Sequence, residues 1–413
     1  MSFAMTFSLN TKLGSALKNM CGALAIGALL VGCGSPGPSD GPDFSRAPQG
    51  EEIQRDDGVL KPHHMAGRDP IRVAMLLPLS AAAKDAQNVA QSLLDAAQLA
   101  IFDASNPNLL LIPKDTQGTE SGAKAAAEQA IEEGAEIILG PLFSTSVAAV
   151  TPVAASYGVP VVAFSTDRDV SRPGVYLLSF LPEYEVERIT QYAVVNGYSR
   201  FAAMIPQTAY GRRVLDAYEQ SVTGSAAFLT STEQYYQSVD AMFEPARRLA
   251  AINDFDAVLL PEGGTNLRGL APLLPYFDVD PRQVKFLGTG LWDDPTLGRE
   301  PSLVGGWFAA PPPRARTAFS ERFESAFGRK PPRIASLGYD SVGLAAALAG
   351  QLDATDRFSE AALTNPNGFT GVDGIFRFLP DGSTERGLAV IEVTANGFRV
   401  IDEAPNTFEQ PAF

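Results

Sequence analysis

Residues 135–166, AEIILGPLFSTSVAAVTPVAASYGVPVVAFST, limit the possible folds more than any other stretch of the chain. Residues 136–139 form a short apolar run without alternation, which suits a parallel strand covered on both faces. Gly140-Pro141 interrupts the run, and Ser144, Thr145 and Ser146 place hydroxyls where a helix would begin. Val147, Val150, Ala154 and Tyr157 then recur at helical spacing, with Pro152 expected to kink the helix. Gly158 is placed to end that helix in the left-handed region, and residues 159–164 return as a second buried strand. Such a unit crosses over with a right hand, and open α/β sheets collect ligands at the carboxyl ends of their strands. Those ends carry Ser144, Ser165 and Thr166.

The same alternation runs through the rest of the chain. Residues 72–77 predict a strand, turned at Pro78-Leu79-Ser80 into a helix over about 82–104 that buries Leu93, Leu94, Ala97 and Ile101. A strand over 109–112 and an Ala-rich helix over 121–133 follow. The pattern resets near residue 176. Strands are expected over 175–180, 201–205, 257–260 and 284–287, and helices over 183–196, from the end of a loop at 206–211 to about 221, and over 241–251. The chain then returns through a strand over 306–310, helices over 316–327 and 335–351, and closing strands over 371–378, 388–393 and 397–401. The expected fold class is α/β, with two doubly wound parallel-sheet lobes. Lobe 1 is assigned residues 71–182 plus about 311–365, and lobe 2 residues 183–310 plus about 366–413.

The first 33 residues stand apart. Lys12 and Lys18 precede an apolar run over 23–31 that is too short to span a bilayer as a helix. The run ends in Leu30-Val31-Gly32-Cys33, which resembles the lipobox of bacterial lipoproteins. That resemblance implies cleavage before Cys33 and lipidation of its thiol; the alternative is an ordinary secretory signal with a chance cysteine. Cys21 does not compete, because Lys18 occupies its −3 position. Gly34 rather than Asp after the cysteine implies, by similarity to lipoprotein sorting, the outer membrane over the inner one. Residues 34–70 hold six prolines and six glycines without hydrophobic periodicity and read as a tether. It would span roughly 30–35 Å as a coil and on the order of 120 Å fully extended.

Composition excludes several classes of function. The first 33 residues contain two lysines and no acid, so residues 34–413 carry 30 basic and 47 acidic side chains, net −17. A surface that acidic is unsuited to a phosphate backbone, so no nucleic-acid partner is expected. Both cysteines lie in the signal region and both histidines, His63 and His64, in the tether. A Ser-His-Asp triad, a Cys-His pair and a His-ligated zinc are therefore absent from residues 71–413. No catalytic residue, metal or cofactor is expected, and the carboxylate pairs sit in no recognisable hydrolase setting.

Seven motifs carry a wider resemblance: VAMLLPLS (73–80), AEIILGPLFS (135–144), GVPVVAFST (158–166), AYGRRVLDAY (209–218), LGTGLWDDP (287–295), GYDSVGLAA (338–346) and GFTGVDGIFRFLPDG (368–382). In this order they resemble the type I periplasmic binding-protein fold, which implies two lobes joined by three crossovers and a cleft that closes by hinge motion. The LLPLS and LGTGLWDDP stretches, together with the lipobox, look most like the penicillin-binding protein activator group; leucine/isoleucine/valine-binding proteins of ABC transporters are the nearest alternative. The resemblance implies a ligand site of Ser144, Ser165, Thr166 and Tyr210, flanked by Ser80 in the first turn. Hydroxyls and free N–H groups at a helix N-terminus can hold a carboxylate. Ser144 capping its own helix explains that residue as well.

The motifs also depart from the amino-acid binders. The loop 261–265 has no aromatic residue, Ala81 stands where the family usually has Gly, and the acid for a ligand ammonium would be Asp293 or Asp294. Trp292 beside them is either a cleft wall or a packing residue. Two functions follow. One is a non-catalytic envelope lipoprotein that binds a class A penicillin-binding protein and regulates peptidoglycan synthesis. The other is a solute receptor handing a branched-chain amino acid or amide to an ABC transporter permease.

Overall fold

The computed structural model describes residues 69–408 except 105, 352 and 354, and ahead of them the backbone of a two-stranded antiparallel ribbon, β1 (Arg55–Asp56) and β2 (Val59–Leu60). The expected signal peptide, Cys33 and nearly all of the 34–70 tether lie outside the described residues. No helix among those described is long and apolar enough to cross a membrane.

The first lobe is built on β3 (Ile71–Leu77), α1 (Lys84–Ala104), β4 (Leu109–Asp115), α2 (Glu120–Glu132), β5 (Ile137–Leu139), α3 (Ser144–Tyr157), β6 (Val161–Ala163) and β7 (Val175–Leu177). Its strands form one parallel sheet in the order β4-β3-β5-β6-β7. Both faces are covered, and for that reason β5, β6 and β7 are apolar at every position and fully buried. The helix α3 ends, as its sequence predicts, at Gly158 in the left-handed region (φ 68°). Its start differs from expectation. Phe143 is the capping position and makes no side-chain cap bond, so Ser144 is the first helical residue and not a cap.

The second lobe follows with α4 (Pro182–Val195), β8 (Arg200–Pro206), α5 (Ala209–Thr223), β9 (Phe228–Tyr235), α6 (Val239–Ile252), β10 (Ala257–Leu259), α7 (Gly264–Leu270), α8 (Leu273–Tyr276), β11 (Lys285–Gly288) and β12 (Trp307–Ala310). The strand β9 has no counterpart in the sequence reading. It is an edge strand beside β8, partly exposed along most of its length, so FLTSTEQY carries no continuous apolar run.

The chain then returns to the first lobe through α9 (Pro313–Phe327), α10 (Ala335–Gln351) and α11 (Glu360–Leu363). Leu337, Val342, Leu344, Ala345 and Leu348 of α10 share a core with α1 and with β3. The antiparallel strands β13 (Phe369–Gly371), β14 (Gly374–Phe378) and β15 (Thr384–Arg386) come next. These correct the expected boundary near residue 366. Phe376 and Phe378 are buried in the first lobe's core, the latter 5.3 Å from the Tyr176 ring, and Leu177 N–H donates to Gly382 O at 2.9 Å. Only β16 (Ala389–Thr394) and β17 (Gly397–Asp402) join the second sheet, antiparallel at its edge, in the order β17-β16-β12-β11-β10-β8-β9. The three crossovers therefore pass through 178–182, 310–313 and 386–389, side by side at the back of the cleft.

Candidate functional site

A cavity of about 240 Å³ opens between the lobes in front of these crossovers. Thr166, from the turn after β6, reaches it from the first lobe, and Phe180 and Pro311 from two of the crossovers form its back. Glu185, Tyr210 and Leu291 reach it from the second lobe, and Arg333, just ahead of α10, closes it from the first.

Glu185 is the chemically distinctive wall. It sits in the first turn of α4 yet belongs to that helix's buried stripe with Val186, Ile189 and Ala193. Its Oε2 accepts the N–H of Gly290 at 2.9 Å. Only glycine permits this approach, since a Cβ at position 290 would lie 2.5 Å from Glu185 Oε1. Burial pushes the Glu185 carboxyl up to about 7; the Gly290 hydrogen bond and the charge of Arg333 oppose that shift, while Asp293 and Glu183 add to it. Tyr210, in the first turn of α5, hydrogen-bonds Thr289 Oγ1 through its hydroxyl at 2.8 Å. Burial, and then the Glu185 charge, keep its phenol protonated far beyond the ordinary range.

Other charges around the cleft are paired, some of them across it. Asp293 of the second lobe receives both Nη atoms of Arg316 from α9, one of them at 2.7 Å, and lies 3.6 Å from Arg333 Nε. Arg333 also bonds Asp373 at 2.9 Å and stacks 4.0 Å from the Phe180 ring centroid. Behind it, buried Arg386 donates from Nε to Ser179 O at 2.9 Å, and Asp340 is pushed up by burial and by the neighbouring charge of Asp373. At the opposite rim Arg213 of α5 donates to Thr166 O at 2.8 Å and to the Asp167 carboxylate of the first lobe. Burial opposes ionisation of Asp167, but Arg213, the Asp169 N–H and the Ser144 hydroxyl together hold its carboxyl below the usual range.

Of the seven residues expected in the cleft, Thr166, Tyr210 and Asp293 line this one cavity. The other four sit elsewhere. Ser80 donates its hydroxyl to Asp115 at 2.5 Å and its N–H to the same carboxylate at 3.2 Å. Ser144 stands beside Asp167 at the rim. Ser165 is buried, its Oγ accepting the Asp167 N–H at 3.0 Å. Trp292 is fully buried in the second core, donating Nε1–H to Leu260 O at 3.0 Å, and is a packing residue. Asp293, lining as it does, is neutralised by arginines of the other lobe. In the 261–265 loop the acid Glu262 is buried and accepts from Tyr235 at 3.1 Å and Gln237 at 3.0 Å.

Sequence reasoning missed Glu185, Arg213 and Arg333. Glu185 was detectable, because an acid four residues before Ile189 breaks the apolar stripe of a helix otherwise read correctly. The two arginines carry no local signal, since their partners lie 40 or more residues away in sequence.

A family profile described as periplasmic binding protein matches residues 70–398. Among curated proteins, the penicillin-binding protein activator LpoA of Vibrio cholerae is 26% identical over 155 residues, 37% of this chain and 25% of that protein. An uncharacterised protein of Rickettsia prowazekii is 20% identical over 174 residues, 40% of this chain and 47% of its own. The chain thus spans half or less of the curated relatives it matches. Among solved structures, one from Rhodospirillum rubrum assigned to branched-chain amino acid ABC transport aligns with a TM-score of 0.70 at 19% identity, over 80% of this chain and all of the other. At that identity the likeness establishes the fold, two lobes of the type I arrangement, and nothing about the ligand.

Proposed function

The chain belongs to the periplasmic binding-protein family, and from that premise we propose that it is a non-catalytic lipoprotein of the cell envelope that regulates a class A penicillin-binding protein. It stands on the periplasmic side, anchored through Cys33 and held off the membrane, the outer one by preference, by the 34–70 tether. The observation that carries this reading is the cleft itself. The groups a receptor would turn toward an amino acid are engaged by the protein: Asp293 by Arg316 and Arg333, and the Ser144–Thr166 rim by Asp167 and Arg213. Asp167 places a negative charge where the ligand carboxylate would lie, and like charges at that distance repel. Similarity to the Vibrio cholerae activator supports the same direction. The second reading, a solute receptor for a branched-chain amino acid or amide, is favoured by Thr166 and Tyr210 facing one cavity.

Two measurements separate them. The mature chain, immobilised, should retain a purified class A penicillin-binding protein and raise its rate of glycan synthesis. None of the twenty amino acids should raise its melting temperature, whereas a ligand at a hundred times its Kd would add about 2.7 kcal/mol of stability. A micromolar amino-acid ligand weakened by Ser144→Ala would make the receptor reading the better one. The anchor is tested by Cys33→Ser, which should move the protein from the membrane to the soluble fraction; unchanged membrane association would sink that part of the proposal.

A further inference from the structure

We propose that the cavity between the lobes is a binding site for a small organic cation that carries no carboxylate, a primary ammonium on a short apolar body, with Glu185 as its counter-ion. The inference goes beyond the regulatory reading and needs neither the partner nor the anchor.

Glu185 is 7% exposed, reaches the cavity wall, and has an N–H of Gly290 as its hydrogen-bond donor rather than a cation. A carboxylate held out of water without a paired cation is costly, and such groups are either neutralised by a proton or matched by a partner. Arg333 is committed to Asp373 and Asp293. Arg386 donates Nε–H to Ser179 O and leaves both Nη atoms without a hydrogen-bond partner, but it lies outside this cavity's lining; Tyr210 is held by Thr289. Asp293 and Glu183 are acids that push in the same direction as burial. Among the residues that line the cavity, Glu185 is the acid without a paired cation, and Arg333, the lining cation, is already paired. A ligand carboxylate finds nothing to pair with, whereas a ligand ammonium finds Glu185.

Size and surface agree. At about 240 Å³ the space is below the roughly 300 Å³ at which drug-sized sites begin and equals the liquid volume of about eight waters. Phe180, Pro182, Leu291, Ala310 and Pro311 give it an apolar lining suited to a short aliphatic body.

The test uses three probes with one branched body: isopentylamine, leucine and isopentanol, titrated into the mature chain by calorimetry and thermal shift at pH 8 and pH 6. Isopentylamine should bind and raise the melting temperature, and leucine and isopentanol should not. Because the free site takes up a proton on Glu185 near pH 7 while the amine stays charged, affinity should fall about tenfold between pH 8 and pH 6. Glu185→Gln should abolish both the binding and its pH dependence. Leu291→Trp, which fills the cavity and leaves the acid in place, should abolish binding too. Amine binding that survives Glu185→Gln, equal binding of isopentanol, or no response to the amine at pH 8 would overturn the inference and leave the cavity to water. A Ser144-dependent response to leucine would overturn the regulatory reading as well, whereas a missing amine response leaves that reading standing.

Discussion

Glu185 shows at the scale of one residue how burial becomes a pH dependence. Its carboxyl rises from an ordinary 4.5 to about 7 because the folded chain takes it out of water. The folded state then holds the proton more tightly than the unfolded state. Its stabilising contribution is present below about 4.5 and is lost as pH climbs through 7. Glu185→Gln keeps an acceptor for the Gly290 N–H and removes the titration. The variant should match the wild type near pH 4 and exceed it at pH 8, by on the order of 3 kcal/mol, read from urea midpoints. An equal midpoint at pH 8 would show that the charge is already matched. Asp167 has the opposite sign: its lowered carboxyl stabilises above the ordinary range and is lost in acid.

Among the elements, the start of α3 and the segment after β11 give contrasting expectations. Because Phe143 holds the capping position without a side-chain bond, Ser144→Ala should not show the ~1 kcal/mol loss of a removed N-cap. A loss of that size in a chemical melt would restore the capping role. Gly288 is different. A Cβ there would fall 2.2 Å from the Trp292 ring, which is fixed by its bond to Leu260 O and cannot retreat. Gly288→Ala should cost about 1–3 kcal/mol and alter the near-ultraviolet tryptophan signal, as overpacking of a filled core does.

The whole molecule depends on charges that cross its cleft. Arg316 and Arg333 reach Asp293, whose side chain is 2% exposed, and Arg213 reaches Asp167 at the far rim. Removing Arg316 leaves a buried acid with a weaker partner, so Arg316→Ala should cost about 3 kcal/mol at any salt concentration. Arg213→Ala breaks a more exposed pair and should cost less than ~1 kcal/mol while letting the rim part. Small-angle scattering should show a larger radius of gyration for Arg213→Ala than for the wild type. Identical profiles would mean that the crossovers alone set the lobe angle.

Local chemistry determined the architecture. Unbroken apolar runs, glycine stops and helical spacing placed the parallel strands and their helices, because each of those signals acts within a dozen residues of chain. The absence of cysteine and histidine beyond residue 70 excluded the common catalytic constellations on composition alone. The edge strand β9 escaped because a half-exposed strand needs no apolar pattern. The place of Phe369–Arg386 escaped because the contact that assigns it, Phe378 on Tyr176, joins residues far apart in the chain. The site was legible in part: Thr166, Tyr210 and Asp293 followed from motifs that line strand ends. The partners of those residues did not. Arg213, Arg316 and Arg333 acquire their meaning only when segments distant in the chain meet, and Glu185 only when burial removes the water that would have made it an ordinary surface acid.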